Sequence, residues 1–106
     1  MNNSGMVPLD LRVLVRPDPV EERTAGGIIL TAETLDKKKW ETCKATLVAC
    51  GSNAWSEAKA TRGFDAPQPG ARVMISKYAG ILTKGDDGEE YRLINDEDVV
   101  AVLVEN

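Results

Sequence analysis

Leu9-Asp10-Leu11-Arg12-Val13-Leu14-Val15-Arg16 alternates apolar and polar side chains at its start, which is the two-residue period of a β-strand. Pro17-Asp18-Pro19 then ends the pattern, because neither proline can donate a hydrogen bond to a neighbouring strand. The segment therefore predicts a half-buried strand near the start of the chain. We expect Leu9, Leu11, Val13 and Val15 to face the same side of this strand.

Several further segments have the composition of short strands and are separated by turn residues. Asp87-Gly88 predicts a tight hairpin turn between two of them. No helical period persists over a long stretch, so we predict a single all-β domain over residues 1–106, with a small barrel as the natural way to remove open sheet edges. The predicted strands are Lys44–Cys50, Ala71–Lys77, Tyr78–Thr83, Glu90–Ile94 and Val99–Val104.

Two long connections interrupt these strands. Residues 17–39 keep neither a strand period nor a helix period, although residues 34–40 have the composition of a helical turn. A loop of this length in a compact domain is usually functional or disordered. In residues 51–69 the sequence leaves a hairpin and a short helix as open alternatives. We treat both connections as loops.

The composition excludes most kinds of chemical site. The chain has no histidine, which removes the commonest general base and the commonest neutral metal ligand. Cys43 and Cys50 are an odd number of positions apart, so on one strand they face opposite sides and we expect two free thiols in a reducing compartment. We therefore predict no enzyme, no catalytic residue, no metal and no cofactor.

The charge and hydropathy patterns also limit the partners. The net charge of −4 disfavours nucleic-acid binding, which normally requires a basic surface. There is no apolar stretch long enough to cross a membrane and no pattern of a signal peptide at residues 1–10. We expect a cytoplasmic protein that binds neither nucleic acid nor membrane.

The last predicted strand, Val99–Val104, is apolar on both faces. Only alternate residues of a strand can enter the interior of a small barrel, so the other face needs a second cover. We expect that cover to be a neighbouring copy of the chain. The alternative is that the connection over residues 51–70 folds back onto this face.

Ile28-Ile29-Leu30 is an isolated aliphatic triplet in a polar segment, preceded by Gly26-Gly27. One interpretation is a core strand whose register the pattern does not reveal. The other is an exposed anchor that inserts into a hydrophobic groove on a partner protein. The glycines and the polar surroundings favour the second interpretation.

These segments, taken in order, resemble the GroES-type co-chaperonin family over nearly the whole chain. Pro8–Val15 resembles the opening strand of the family, and Thr24–Thr31 is similar to its mobile-loop signature of two glycines followed by three aliphatic residues. Pro69–Val73 matches a turn and strand of the family, and Asp98–Val102 follows its closing strand. Each piece alone is weak, but their order and the chain length make the resemblance specific.

The resemblance implies an irregular β-barrel that assembles as a seven-membered ring, with a mobile loop at about residues 17–39 and a roof loop at about residues 51–69. It implies that Tyr78 faces the interior of a folding chamber. The ring would bind a GroEL-type chaperonin in a nucleotide-dependent way and close the chamber over non-native proteins. The residues implied for chaperonin binding are Gly26, Gly27, Ile28, Ile29 and Leu30; those implied for the subunit interface are Leu9, Leu11, Val13, Val100, Val102 and Val104.

One departure from the family concerns residues 31–44, which form a longer segment than the bacterial pattern has. That extension would fit a divergent copy, including a phage-encoded one that works with a host chaperonin. The alternative function is a small β-barrel oligomeric interaction module, or a nucleic-acid-binding module, that has no chaperonin partner.

Overall fold

A computed structural model describes residues 2–19, 26–27, 29, 31–63 and 65–104 of the chain. Within these residues lie six strands, β1 (Arg12–Pro17), β2 (Lys44–Cys50), β3 (Arg72–Ile75), β4 (Ile81–Lys84), β5 (Glu90–Asn95) and β6 (Val99–Val102). All neighbouring strands pair antiparallel in one sheet, in the order β4-β5-β1-β2-β3-β6. The predicted all-β class is confirmed.

The first strand lies at the centre of the sheet, between β2 and β5. Val13, Leu14 and Val15 are all fully buried, so this strand is covered on both faces. The pairing with β2 shifts register between Leu14 and Val15, which marks a bulge at this point. A strand covered on both faces does not need the alternating pattern that the sequence shows at its start.

Leu9 and Leu11, which the sequence placed at the start of the first strand, lie before that strand in the structure. Both side chains are exposed, and the strand begins only at Arg12. Asp10 adopts the left-handed region with φ of 55°, so the backbone turns before β1 and the alternation does not continue into the sheet. The apolar residues at the start of the pattern therefore lie on the surface.

One cluster of side chains forms the core of the domain. Trp55 joins it from outside the sheet and is held by two hydrogen bonds, from its backbone N–H to Asp96 Oδ2 at 2.8 Å and from its indole Nε1–H to the Asp96 carbonyl at 3.0 Å. A buried indole needs such a partner for its N–H group. The buried members of the cluster are Val13, Val15, Ala45, Leu47, Ala54, Trp55, Val73, Ile75 and Ile94.

The first long connection contains a ten-residue helix, α1 (Ala32–Glu41), where the sequence predicted a loop with no more than a helical turn. Thr31 caps the helix, since its side chain accepts a hydrogen bond from the Thr34 N–H at 3.2 Å. Glu33 lies in the first turn, and Lys38 and Lys39 lie in the last, where their charges oppose the helix dipole. Capping and charge placement thus support a helix that has no strong hydrophobic period.

The second long connection contains a shorter helix, α2 (Ser56–Arg62). It follows Trp55 and ends at Gly63, whose left-handed backbone places its N–H on the Ala58 carbonyl. Of the two alternatives that the sequence left open, the short helix is therefore the one adopted. The docking of Trp55 against Asp96 holds the start of this connection on the core.

The amino-terminal residues pack against the turn between β4 and β5. Ser4 is buried, and its carbonyl accepts a hydrogen bond from the Asp86 N–H at 2.8 Å. Asn2 Oδ1 accepts hydrogen bonds from the N–H and the hydroxyl of Ser4. The segment that leads into β1 is therefore attached to the hairpin at its beginning, while Val7 and Leu9 remain exposed.

Candidate functional site

The segment that carries the glycine and aliphatic motif begins at an anchored residue, Asp18. Its carboxylate accepts two hydrogen bonds from the Arg72 guanidinium, at 2.6 and 2.7 Å, and its backbone N–H donates to the Lys44 carbonyl at 3.0 Å. The paired guanidinium lowers the pKa of Asp18 below its ordinary value. This two-pronged ion pair fixes the start of the segment to β2 and β3.

Beyond that anchor, the described part of the motif lies on the surface. Gly26 and Gly27 are exposed, and Gly27 has φ of +82°, with no atom of the described residues near the position that a Cβ would take. The Ile29 side chain is 66% exposed, which is high for an isoleucine. Ile28 and Leu30, the other predicted members of the anchor, lie outside the described residues.

The end of the segment is fixed through α1. At the carboxyl end of this helix, Lys39 Nζ pairs with Glu90 Oε1 at 2.7 Å, and the Trp40 carbonyl accepts from the Tyr78 N–H at 3.1 Å. Asp18, Pro19 and Lys39 line the same groove, which has a volume of about 510 Å³. The two ends of the predicted mobile loop therefore lie beside each other on the body of the domain.

A buried arginine completes this attachment. Arg92 on β5 is fully buried, and its guanidinium donates to the Ala79 carbonyl at 2.6 and 3.1 Å and to the Thr42 carbonyl at 3.3 Å. It also lies 5.2 Å from the centre of a Trp40 ring, in cation–π contact. Burial lowers the pKa of Arg92. This single side chain connects the end of α1, the residue that follows it and the turn before β4.

Tyr78, the residue predicted to face a chamber, lies on the surface of that turn. Its side chain is 56% exposed, and its backbone is left-handed with φ of 61°. The hydroxyl donates to Glu41 Oε1 at 3.1 Å, and this hydrogen bond to a carboxylate raises the pKa of the phenol. The phenol ring of Tyr78 is therefore oriented by α1 and remains accessible.

The two ends of the chain expose apolar side chains. Those in the closing strand lie on β6, an edge strand that pairs only with β3 among the described residues. Val99 packs against the core and lines a groove with Trp55, so the second connection covers this one residue, whereas Val100 and Val102 stay more than half exposed. The exposed set is Val7, Leu9, Leu11, Val100, Val102 and Val104.

Val13 does not belong to this exposed set. It was predicted at the subunit interface, but it lies on the central strand and is fully buried in the core of its own chain. Its side chain is therefore not available to a neighbouring copy in this fold. Five of the six residues predicted for the interface remain candidates.

Three features of the site were missed by the sequence interpretation. The ion pair between Asp18 and Arg72 joins residues 54 positions apart, and no local pattern announces such a contact. The contact of Arg92 with Trp40 is equally long-range. The third feature, α1, had a readable signal in Thr31 as the cap, with an acidic first turn and a basic last turn.

The described residues show no arrangement suited to metal chemistry or membrane insertion. Among residues 2–19, 26–27, 29, 31–63 and 65–104, no three histidine, cysteine or acidic side chains come together in a way that would hold a metal ion. Neither helix in this part of the chain has the length and apolar character needed to span a bilayer. Cys43 and Cys50 are both free thiols.

Comparison with known proteins identifies the family. The family model described as "Chaperonin 10 Kd subunit" matches residues 5–103. The chain is 37% identical to the Co-chaperonin GroES of Thermotoga neapolitana over 94% of this chain and 97% of the relative. It is 32% identical to the Co-chaperonin GroES of Idiomarina loihiensis over 90% of this chain and 94% of the relative.

A longer relative matches as well. The chain is 37% identical to the "20 kDa chaperonin, chloroplastic" of Arabidopsis thaliana over 91% of this chain, and it spans 36% of that protein's length. The family match covers the opening strand, the glycine and aliphatic motif and the closing strand. This chain therefore belongs to the chaperonin 10 kDa family, which includes the GroES co-chaperonins that it resembles.

Proposed function

We propose that this co-chaperonin forms a ring that binds a GroEL-type chaperonin through the segment Gly26–Leu30 and closes its folding chamber in a nucleotide-dependent way. The observation that carries the proposal is the exposed Ile29, in a glycine-containing segment whose two ends are fixed to the domain. An exposed aliphatic anchor with attached ends suits insertion into a hydrophobic groove. Ile28 and Leu30 complete the anchor in this proposal. In it, Tyr78 faces the chamber.

The energy of one loop explains why a ring is needed. Burying three aliphatic side chains yields roughly 5–9 kcal/mol gross. Ordering about ten loop residues on docking would cost roughly 10–20 kcal/mol of backbone entropy, partly offset by new hydrogen bonds. A single loop therefore binds weakly, which allows the ring to be released as the chaperonin changes its nucleotide state.

Several loops on one ring bind together. Once the first has docked, the others act at an effective concentration that raises the overall affinity by roughly 10² or more. The exposed apolar residues at the two chain ends and the open edge of β6 support assembly of copies by pairing between the amino-terminal segment of one and the closing strand of the next. The ring number of seven rests on the family resemblance. A cytoplasmic location stays a prediction.

The decisive experiment compares Ile29→Asp with Ile81→Asp in an ATP-dependent pull-down with a GroEL-type chaperonin. Ile81 is a matched control because it is an isoleucine of similar exposure, 62% against 66%, on the other edge of the sheet. We expect Ile29→Asp to abolish capture, since a charge cannot enter an apolar groove, and Ile81→Asp to be captured like the unmodified protein. Native mass spectrometry should show the same ring for both.

Two results would contradict the proposal. Normal capture of Ile29→Asp would remove the loop from the mechanism, and capture that does not depend on ATP would remove the nucleotide dependence. A titration with oligonucleotides tests the alternative module: salt-sensitive binding by this acidic protein would favour that alternative.

A further inference from the structure

We propose that α1 is a rigid arm, clamped at its carboxyl end by Trp40 against Arg92, and that this clamp positions the apolar loop for docking. The inference rests on the proposed function, since it concerns how the same loop reaches its partner. It assigns Trp40 and Arg92 as positioning residues, neither of which contacts the chaperonin in this mechanism.

The attachment lies at one end of the helix. Among the described residues, the polar and ring contacts that join α1 to the body come from its last turn, through Lys39, Trp40 and Glu41. At the other end, Ala32 and Glu33 are exposed, and the helix begins directly after the loop at Thr31. Ten helical residues span about 15 Å, so the start of α1 is carried well away from its clamp.

The clamp is suited to fix a direction as well as a point. Arg92 projects from a strand in the sheet and is fully buried, so its position is set by the core. Its planar guanidinium holds the carbonyls of Thr42 and Ala79 while it lies against the Trp40 ring. A planar group with fixed donor directions restrains orientation more than a point charge does. The end of α1 is therefore oriented relative to β5 and to the turn before β4.

A fixed arm lowers the conformational entropy that is lost when the loop docks. If α1 were unfolded in the free protein, docking would have to order residues 32–41 along with the loop, at a further entropic cost. With the arm already formed and aimed, residues 32–41 add no such cost on docking. Loosening the clamp should leave the anchor side chains intact but scatter their starting positions, and affinity should fall for that reason.

The test uses Trp40→Leu and Trp40→Phe in the intact assembly. Leucine keeps an apolar side chain but removes the aromatic face, whereas phenylalanine retains a face for the guanidinium. Hydrogen exchange measured by mass spectrometry on the free protein reports the stability of α1. Binding to a GroEL-type chaperonin with ATP reports docking, and urea unfolding confirms that each variant is folded.

We expect Trp40→Leu to raise amide exchange in residues 35–41 by about tenfold or more and to weaken chaperonin binding by a similar factor. We expect Trp40→Phe to keep both the amide exchange and the chaperonin affinity within about threefold of the unmodified protein. A purely structural role would lower the unfolding midpoint and leave chaperonin binding by the folded ring unchanged. That pattern, or rapid exchange of α1 in the unmodified protein, would overturn the proposal.

A second pair of variants breaks the arm without touching the clamp. Lys37 is a strongly exposed residue in the middle of α1, and Lys37→Pro interrupts the helix where Lys37→Ala preserves it. We expect only the proline variant to lose affinity, by about tenfold or more. Equal binding by the two variants would also overturn the arm. If the unmodified ring fails to bind any chaperonin, the proposed function fails first, and the exchange data separately decide whether α1 is rigid.

Discussion

The burial of the charged Arg92 side chain has an energetic cost that its neighbours must offset. A fully buried guanidinium loses its hydration, which costs several kcal/mol unless other groups replace the water. Here backbone carbonyls and an aromatic face replace it, and no carboxylate among the described residues forms a salt bridge with Arg92. These contacts compensate the buried charge, and they constrain the positions of the groups around Arg92.

The ion pair of Asp18 predicts how the free energy of unfolding depends on pH. Its folded pKa is lowered, chiefly by the hydrogen bond from Arg72, so its stabilising effect is present above the unfolded pKa of about 3.9 and is lost as the pH falls through the lower folded pKa. Because the carboxylate is partly exposed, we expect Asp18→Asn to reduce the free energy of unfolding by no more than about 1 kcal/mol near neutral pH. That difference should shrink towards zero in acid.

Urea unfolding across this pH range measures the effect. Asp65→Asn is the control, since Asp65 is an exposed aspartate that changes in the same way by substitution. A difference between the unmodified protein and Asp18→Asn that stayed constant down to about pH 3 would show that the ion pair does not anchor the loop.

The turns between strands set a second level of organisation. Gly80, before β4, has φ of +71°, and a Cβ at this position would clash with the Leu93 carbonyl oxygen and lie 2.7 Å from Ile94 Cγ2. Gly88, in the β4–β5 hairpin turn, has a similar φ of +82° but open space around it. The first glycine is required by close packing as well as by its backbone, and the second by its backbone alone.

Alanine substitutions at Gly88 and Gly80 distinguish the cost of backbone strain from the cost of a steric clash. We expect Gly88→Ala to lower the free energy of unfolding by roughly 1 kcal/mol, the cost of a left-handed alanine. Gly80→Ala should cost about 2–4 kcal/mol, because the strand pair β4–β5 must also shift to admit the methyl group. Chemical unfolding of the two variants checks the order, and equal costs would mean that the packing at Gly80 relaxes freely.

The whole molecule is organised by which strands lie at the edges of the sheet. The opening strand β1 is central, so it has no free edge, and the two outer strands are β4 and β6. The exposed valines of β6 and the exposed residues before β1 are the surfaces that we propose for assembly. The contact that we propose between copies uses the segment that precedes the first strand, and leaves β1 itself inside the sheet.

A charge on the closing strand should break the assembly. We expect Val102→Asp, at a half-exposed position of β6, to dissociate the ring into smaller species, because an unpaired carboxylate would be buried in the contact. Ile81→Asp on the opposite edge strand should leave the assembly intact. Native mass spectrometry distinguishes the two, and an unchanged mass for Val102→Asp would place the contact elsewhere on the molecule.

Local patterns in the sequence were sufficient for much of this protein. Strand composition and turn residues predicted β2 with its observed bounds and the other strands to within a few residues, because side-chain alternation and turn chemistry act over short distances. The glycine and aliphatic motif stood out for the same reason, and the order of the segments was enough to indicate the family, which the comparisons confirm.

Only the tertiary structure decided the order of the strands and the contacts between residues far apart in the sequence. Pairing between strands placed β1 at the centre, which buried Val13 and left Leu9 and Leu11 outside. The anchors of the loop depend on contacts between residues about 50 positions apart, such as Arg92 with Thr42, and α1 holds its place through such contacts. These interactions form only once the chain has folded, so no pattern along the sequence revealed them.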